Sequence, residues 1–318
     1  MKKGFIITAV VLIVAGIALF TAALAAAGFD FSKLSGEKYE TNTYTVDEEF
    51  TGVSVRTDRT DVIFKPSEDG KVKVVCEERE KVRHSVSVEN GTLTVSAVDR
   101  REWYDYLAVF SKHLTMTVYL PSGEYDSLNV KTDTGSVSVP SDFSFGAADV
   151  TTATGKIEFR AAEGGTLKLR SSTGSVTAEG CAAESVDVST STGKVVLYSV
   201  DCEGTVSVKV STGRTELADV TCKNFGSDGS TGSVTLKNVV ASGKISIERA
   251  TGSVTFDKCD AAEITVKTST GSVKGSLLSE KVFVAKSSTG RVSVPDSITG
   301  GRCEITTSTG NIEITVKK

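Results

Sequence analysis

The residues best suited to chemistry in this chain of 318 residues are hydroxyls. Seven Ser-Thr pairs stand directly before glycines: Ser172-Thr173, Ser191-Thr192, Ser211-Thr212, Ser230-Thr231, Ser269-Thr270, Ser288-Thr289 and Ser308-Thr309. A hydroxyl donates one hydrogen bond and accepts two, so a regular array of them can hold carbohydrate, or ice where the array is flat. The threonines expected to form such a ligand face are Thr173, Thr192, Thr212, Thr231, Thr270 and Thr289. The plainer alternative is that these hydroxyls pack the corners and bond the turns.

The remaining candidates are weaker. Glycan cleavage needs two carboxyl groups converging on one bond. The acids of the repeat are scattered: Asp133, Glu158, Asp187, Glu216, Glu248 and Glu313. Glu158, Glu216 and Glu313 share an offset but stand three and five repeats apart, about 14 and 24 Å at roughly 4.8 Å per repeat. His84 and His113 are well separated along the chain and read as exposed surface histidines. No phosphate loop, nucleophile elbow, zinc-protease motif or calcium-binding nonapeptide occurs. No catalytic residue, cofactor or metal ligand is therefore assigned. A weak basic column, Lys131, Arg170, Lys209, Lys267 and Lys286, is interrupted by Asp228 and Glu248. It reads as a solvated strand face, with acidic wall polymers or lipid head groups as the functional alternative. Cys202 and Cys222 are one repeat apart, close enough for a disulfide, yet free buried thiols are the favoured reading. Trp103, Tyr104, Tyr106 and Phe110 cluster in the longest break in strand pattern, as a capping loop or as a partner contact.

These residues hang on a repeat. Thr-Gly recurs with its glycine at 135, 155, 174, 193, 213, 232, 252, 271, 290 and 310, each step being nineteen or twenty positions. The flanks alternate apolar and polar with the period of a strand, as at Val186 and Val188 before the turn or Val234 and Leu236 after it. Like residues at every offset suit strands stacked in register, so the fold class is all-β: a parallel β-solenoid of about ten rungs. Residues 127–318 form the Thr-Gly solenoid, 44–126 an irregular β cap or first rungs, and 30–43 a linker. The last rung ends almost at the C-terminus, which places an unpaired edge there and a homotypic contact at that C-terminal rung.

Residues Gly4 to Phe29 carry no charge. A helix of that length, rising about 1.5 Å per residue, exceeds a bilayer core of about 30 Å. Lys2 and Lys3 precede the run and Asp30, Lys33, Glu37, Lys38 and Glu40 follow it, so the positive bias sits on the N-terminal side, which leaves the N-terminus inside and the rest of the chain outside. Segment 1–29 reads as an uncleaved transmembrane signal anchor, with a signal peptide cleaved near Ala25-Ala26-Ala27 as the alternative. The net charge of -4 gives no basic excess for nucleic acid.

Val53 to Val75, Gly91 to Ser96, Leu114 to Pro121 and the ten Thr-Gly rungs together resemble a family of bacterial exported proteins of unknown function, catalogued as putative adhesins with β-strand repeats. In this chain Thr57-Asp58-Arg59-Thr60-Asp61 stands where that family more often has a Ser/Gly-rich turn. The resemblance implies an extracytoplasmic β-solenoid with no catalytic residues to transfer. The expected function is a non-enzymatic, membrane-anchored, adhesin-like or envelope-sensing surface. Its partner is a cell-envelope glycan or protein, with no nucleic acid and no cofactor. A polysaccharide-cleaving enzyme and a structural spacer are the alternatives.

Overall fold

A Thr-Gly dipeptide between two alternating strands can stack on its own copy only if nothing projects from the glycine. The computed structural model, which describes residues 2–26, 28–29, 38–100 and 113–317, shows that stacking throughout. An N-terminal helix, Lys2–Ala26, includes 23 residues, Gly4–Ala26, apolar and long enough to cross a membrane. Residues from Tyr39 onward form one parallel β-solenoid with antiparallel strands at its N-terminal end.

Each layer follows one plan, seen in the strand Val195–Thr212 and the corners that bound it. After the glycine comes a short strand with Val195 and Leu197 inward. A single residue in the left-handed region then turns the chain: Ser199, Asp219, Asn238 and Lys258, or Gly180, at equivalent places. A second short strand buries Val200 and Cys202, a third corner follows, and a longer strand buries Val206, Val208 and Val210 before the next Ser-Thr-Gly. Inward side chains of successive layers merge into one largely aliphatic core, with Phe143, Phe145, Phe159, Phe225 and Phe256 among its largest buried side chains.

The glycines explain the regularity. A Cβ on Gly213 would lie 1.7 Å from the carbonyl oxygen of Gly193, and one on Gly232 would lie 1.6 Å from that of Gly213. Their φ angles of 149° and 135° also favour glycine. The backbone of each corner is bonded to the next: Gly174 N–H donates to Thr192 O at 2.9 Å and Gly213 N–H to Thr231 O at 2.8 Å. The alternation between the two step lengths is absorbed elsewhere. Register shifts fall at the third corner, between Cys202 and Thr205, Cys222 and Phe225, and Ala241 and Lys244.

Three residues before most of the Thr-Gly glycines a buried or half-buried hydroxyl points back at the corner of an adjoining layer. Thr152 donates to Gly135 O at 3.0 Å, Ser171 to Gly155 O and Thr190 to Gly174 O at 3.1 Å. The column is broken at Val210, Gly229 and Arg249. Arg249, buried, fills the gap by donating to Ser227 Oγ at 2.7 Å, Thr215 Oγ1 at 3.2 Å and Glu248 O at 2.8 Å.

Chain order is not stacking order at either end. Strand Gly52–Thr57 lies between Thr92–Asp99 and Gly123–Thr134, so the layer containing Thr92–Asp99 and Leu114–Leu120 is outermost. Val72–Arg79 runs antiparallel on Leu114–Leu120, Tyr39–Val46 runs antiparallel on Val72–Arg79, and Val82–Glu89 runs antiparallel on Thr92–Asp99. At the other end Gly301–Thr309 is inserted between Val254–Thr270 and Lys281–Thr289. The expected edge at the C-terminal rung is therefore corrected. That rung is interior, Lys317 N–H is bonded to Leu277 O at 2.9 Å, and the open edge belongs to residues 281–293. Lys281, buried, reaches across the inserted layer to Asp260 at 2.6 Å. The insertion also places Glu313 four layers from Glu216 instead of five.

If corner contact sets the register, Gly232→Ala should destabilise the fold by about 3 kcal/mol or more, through clash and strain together. Gly226, with nothing within 4 Å of a built Cβ and no positive φ, should tolerate alanine within about 0.5 kcal/mol. Denaturant unfolding of both variants is the measurement; equal effects would refute the contact argument.

Candidate ligand face

Parallel stacking at one register places every Thr of the repeat beside its copies. Thr134, Thr154, Thr173, Thr192, Thr212, Thr231, Thr251, Thr270, Thr309 and Thr289 pair consecutively in that order. All six threonines expected from the sequence lie in this ladder and all are exposed. Thr134, Thr154, Thr251 and Thr309 extend it, and Thr309 sits between Thr270 and Thr289. Adjacent layers of a sheet lie about 4.8 Å apart. Beside the threonines runs a second exposed column, Ser172, Ser191, Ser211, Ser230, Ser269, Ser308 and Ser288, with Asp133, Ala153 and Ala250 in the same column.

The hydroxyls divide by column. Those three before the glycine turn inward and bond the corners, as Thr268 does to Gly252 O at 3.1 Å and Thr307 to Gly271 O at 3.0 Å. The Thr ladder contributes its backbone carbonyls to the corner ladder, as Thr231 does toward Gly213 N–H at 2.8 Å. Turn bonding, the plainer reading of the Ser-Thr hydroxyls, thus belongs to a different column. The signal in sequence was present: Thr132, Thr152, Ser171, Thr190, Thr268, Ser287 and Thr307 recur at that one offset.

Charge flanks the hydroxyls. A shallow depression of about 300 Å³ is lined by Arg170, Ser172, Ser189, Ser191, Lys209 and Ser211, among others. Arg170 is bonded to Asp187 at 2.9 Å and stands 3.5 Å from Asp149. Lys194 pairs with Glu216 at 2.7 Å, and Lys156 pairs with Glu158. Glu158, Asp187 and Glu216 are thus engaged with surface bases.

Cys202 and Cys222 are in register and both thiols are free and buried. Burial pushes the Cys222 thiol up to about 12. Trp103, Tyr104, Tyr106 and Phe110 lie outside the described residues.

His84 corrects the surface expectation. It is buried, because Val82, His84, Val86 and Val88 share one face of their strand and that face meets the cap interior. Glu78, with no exposed surface, accepts hydrogen bonds from Asn42 Nδ2 at 2.6 Å, Tyr44 OH at 3.1 Å, His84 N–H at 2.5 Å and His84 Nδ1 at 2.8 Å. The Thr57 hydroxyl lies 3.1 Å from His84 Nε2. Burial would raise the Glu78 carboxyl, but the donated hydrogen bonds hold it below its ordinary value. Burial also holds His84 below the ordinary imidazole value of 6.5, against the pull of Glu78. Cys76, Glu78 and His84 offer donor atoms within 4.8 Å of one another, a set that suits zinc. The thiol is pushed to about 12 by burial, and Glu78 and His84 satisfy each other, so the cluster is a hydrogen-bonded brace of the cap. His113 is exposed and sits 2.6 Å from Asp61.

The chain matches the Toastrack DUF4097 family model over residues 50–206 and 201–318, and it belongs to that family. No curated protein matches it significantly. A putative adhesin from Bacteroides fragilis NCTC 9343 is 14% identical, with 87% of this chain and 97% of that chain covered and a TM-score of 0.41. A putative adhesin from Parabacteroides distasonis ATCC 8503 is 9% identical, with 77% and 98% covered and a TM-score of 0.49. A putative lipid binding protein from the same organism is 12% identical, with 87% and 97% covered and a TM-score of 0.43.

The buried pair gives a pH dependence with a definite sign. The folded state binds a proton on His84 less readily than the unfolded state, so stability falls as pH drops below about 6.5. Glu78, depressed in the fold, adds a further loss at lower pH, as its folded value is approached. His84→Gln should lower stability at neutral pH by about 1–3 kcal/mol and flatten the loss that starts near pH 6.5. Thermal melts across pH 8 to 5 are the check; parallel curves for the two proteins would refute it.

Proposed function

We propose that this chain is a non-enzymatic binding protein of the cell envelope, anchored by its N-terminal helix, whose Ser/Thr face grips a polysaccharide. The observation that carries the reading is the ten-member threonine ladder, exposed and in register, whose side chains are not used to bond the fold. Its spacing is close to the advance of one sugar unit along an extended glycan, so one chain could meet the same hydroxyl pair at each step. Each contact is weak, and affinity grows through repetition along the rod. Lys209, beside the depression, suits a glycan bearing acidic groups, and the long Arg170 and Lys209 side chains disrupt the flatness that ice would need.

Two features support binding over cleavage. Two of the three acids that share one offset pair with bases, Glu158 with Lys156 and Glu216 with Lys194. The acids sharing one offset, Glu158, Glu216 and Glu313, stand at least three layers apart, about 14 Å, too far to serve one glycosidic bond. The apolar span Gly4–Ala26 and the lysines before it support the anchored reading, with the solenoid outside. A spacer would need the same rod but no bare hydroxyl ladder.

The test is binding of purified envelope polysaccharides, neutral and acidic, by calorimetry. Thr192→Val, Thr212→Val and Thr231→Val, which remove the hydroxyls and add no charge, combined in one chain, should abolish binding of neutral and acidic glycans alike. Their exposure should keep each stability change within about 0.5 kcal/mol. Unchanged binding by the folded triple variant would overturn the assignment of this face.

A further inference from the structure

The two ends of the solenoid are finished differently. At the N-terminal end antiparallel strands cover the outermost layer. At the other end, among the described residues, Lys281–Thr289 pairs with Gly301–Thr309 on one side and with nothing on the other, and Val292–Ser293 pairs only with Ile312–Val316. An open edge presents a row of unpaired N–H and C=O groups.

The side chains of this edge differ from those of the same strand in the layers beneath it. There the outward positions are polar or small: Thr166, Lys168 and Arg170; Ser185, Asp187 and Ser189; Glu263, Thr265 and Lys267. Here the outward residues are Val282 and Val284, 38% and 47% exposed, and Ile298, 91% exposed, lies between the two residues that meet Glu280. The inward residues Phe283 and Ala285, whose equivalents are buried elsewhere, are half-buried because no further layer covers them. An edge strand meant to stay solitary carries charges along its length; this one carries an aliphatic stripe.

We propose that this edge docks a second copy of the same chain, strand Lys281–Thr289 running antiparallel to its own counterpart about a two-fold axis at Phe283. The argument for a second copy is self-complementarity. With the axis at Phe283, opposed residues have numbers that sum to 566, so like faces meet like. On the outer face Val282 then lies opposite Val284 of the second copy, and Val284 opposite Val282. Those two apolar pairs are flanked by Glu280 opposite Lys286 and Lys286 opposite Glu280, an opposite-charge pair at each end. On the inner face Phe283 meets Phe283 across the axis and extends the core from one rod into the next. Glu280 is held beside the strand by the Ser297 and Thr299 hydroxyls, at 3.3 and 2.9 Å. The contact is isologous and therefore closes at two chains. It lies apart from the hydroxyl ladder and is independent of what that ladder binds.

Sedimentation of the full-length chain in detergent is the test, with charge exchange as the specific control. The wild type should form a dimer. Val284→Lys, which sets like charge and lost apolar burial at the pairing centre, should weaken it about tenfold or more. Glu280→Lys alone and Lys286→Glu alone should each weaken it, and the double variant carrying both should restore it. Mixing a Val282→Cys chain with a Val284→Cys chain should give a covalent dimer on mild oxidation, and neither mixed with Lys209→Cys should do so. The buried native thiols leave that readout clean. A monomer at every concentration would overturn the proposal. So would a dimer indifferent to Val284→Lys and to the charge exchange, held by the N-terminal helix or by another face.

Discussion

Everything in this rod depends on how closely one glycine sits on the carbonyl of the glycine in the adjoining layer. A built Cβ at these corners falls between 1.6 and 2.1 Å from that carbonyl oxygen, for every Thr-Gly glycine from Gly155 to Gly310. No side chain fits there, and no small shift relieves it, because the obstructing atom is backbone. The corner therefore works as a key: each layer has one axial position and one register relative to its neighbour. Alternation forbids a slip of one residue, which would send the core face to solvent, but it leaves a slip of two open in strands so rich in Ser, Thr and Val, and the corner closes that route.

Once register is set, chemistry follows from column position. The hydroxyl three before the glycine is turned inward and caps the carbonyl that the close approach leaves crowded, while the Thr one before it gives its carbonyl to the backbone ladder and keeps its side chain outside. The register shifts fall at the third corner or, between Phe256 and Cys259, at the second, so variation in repeat length does not reach the threonines. A rod with bulges at the Thr-Gly corner would have the same core and no continuous face.

The solenoid, its period and the exposed ladder were legible because each rests on local, repeated pattern. Thr before Gly at a steady spacing can be read without knowing any long-range contact. The inward hydroxyl column was equally legible by offset, but a Ser or Thr in a strand does not announce which carbonyl it will meet. His84 was misread as a surface residue although its strand carries Val82, Val86 and Val88 on the same parity. What hid its partner was the pairing of cap strands, which brings Asn42 and Tyr44 from a strand much earlier in the chain to the same carboxylate. Arg249 shows the same limit, since its place depends on two neighbours, Val210 and Gly229, that lack a hydroxyl.

The order of the last two layers was beyond reach of the repeat itself. Gly290 and Gly310 are separated by the same step as Gly193 and Gly213, so spacing cannot distinguish a rung added at the end from one inserted before it. Composition does distinguish them. Gly300 and Gly301 have built Cβ positions 1.8 Å from Glu280 O and Ala262 O, in the layers to either side, so this pair belongs where backbone closes in from both directions. Lys281 must cross that inserted layer to reach Asp260, and Cys303 and Ile305 are buried as fully as any mid-rod residue. The apolar outward residues Val282 and Val284 sit on the strand left outside. The polypeptide thus hides its terminal segment in the stack and leaves an internal segment to form the end surface, so the residues that decide what meets that end are 280–298, not those at the C-terminus.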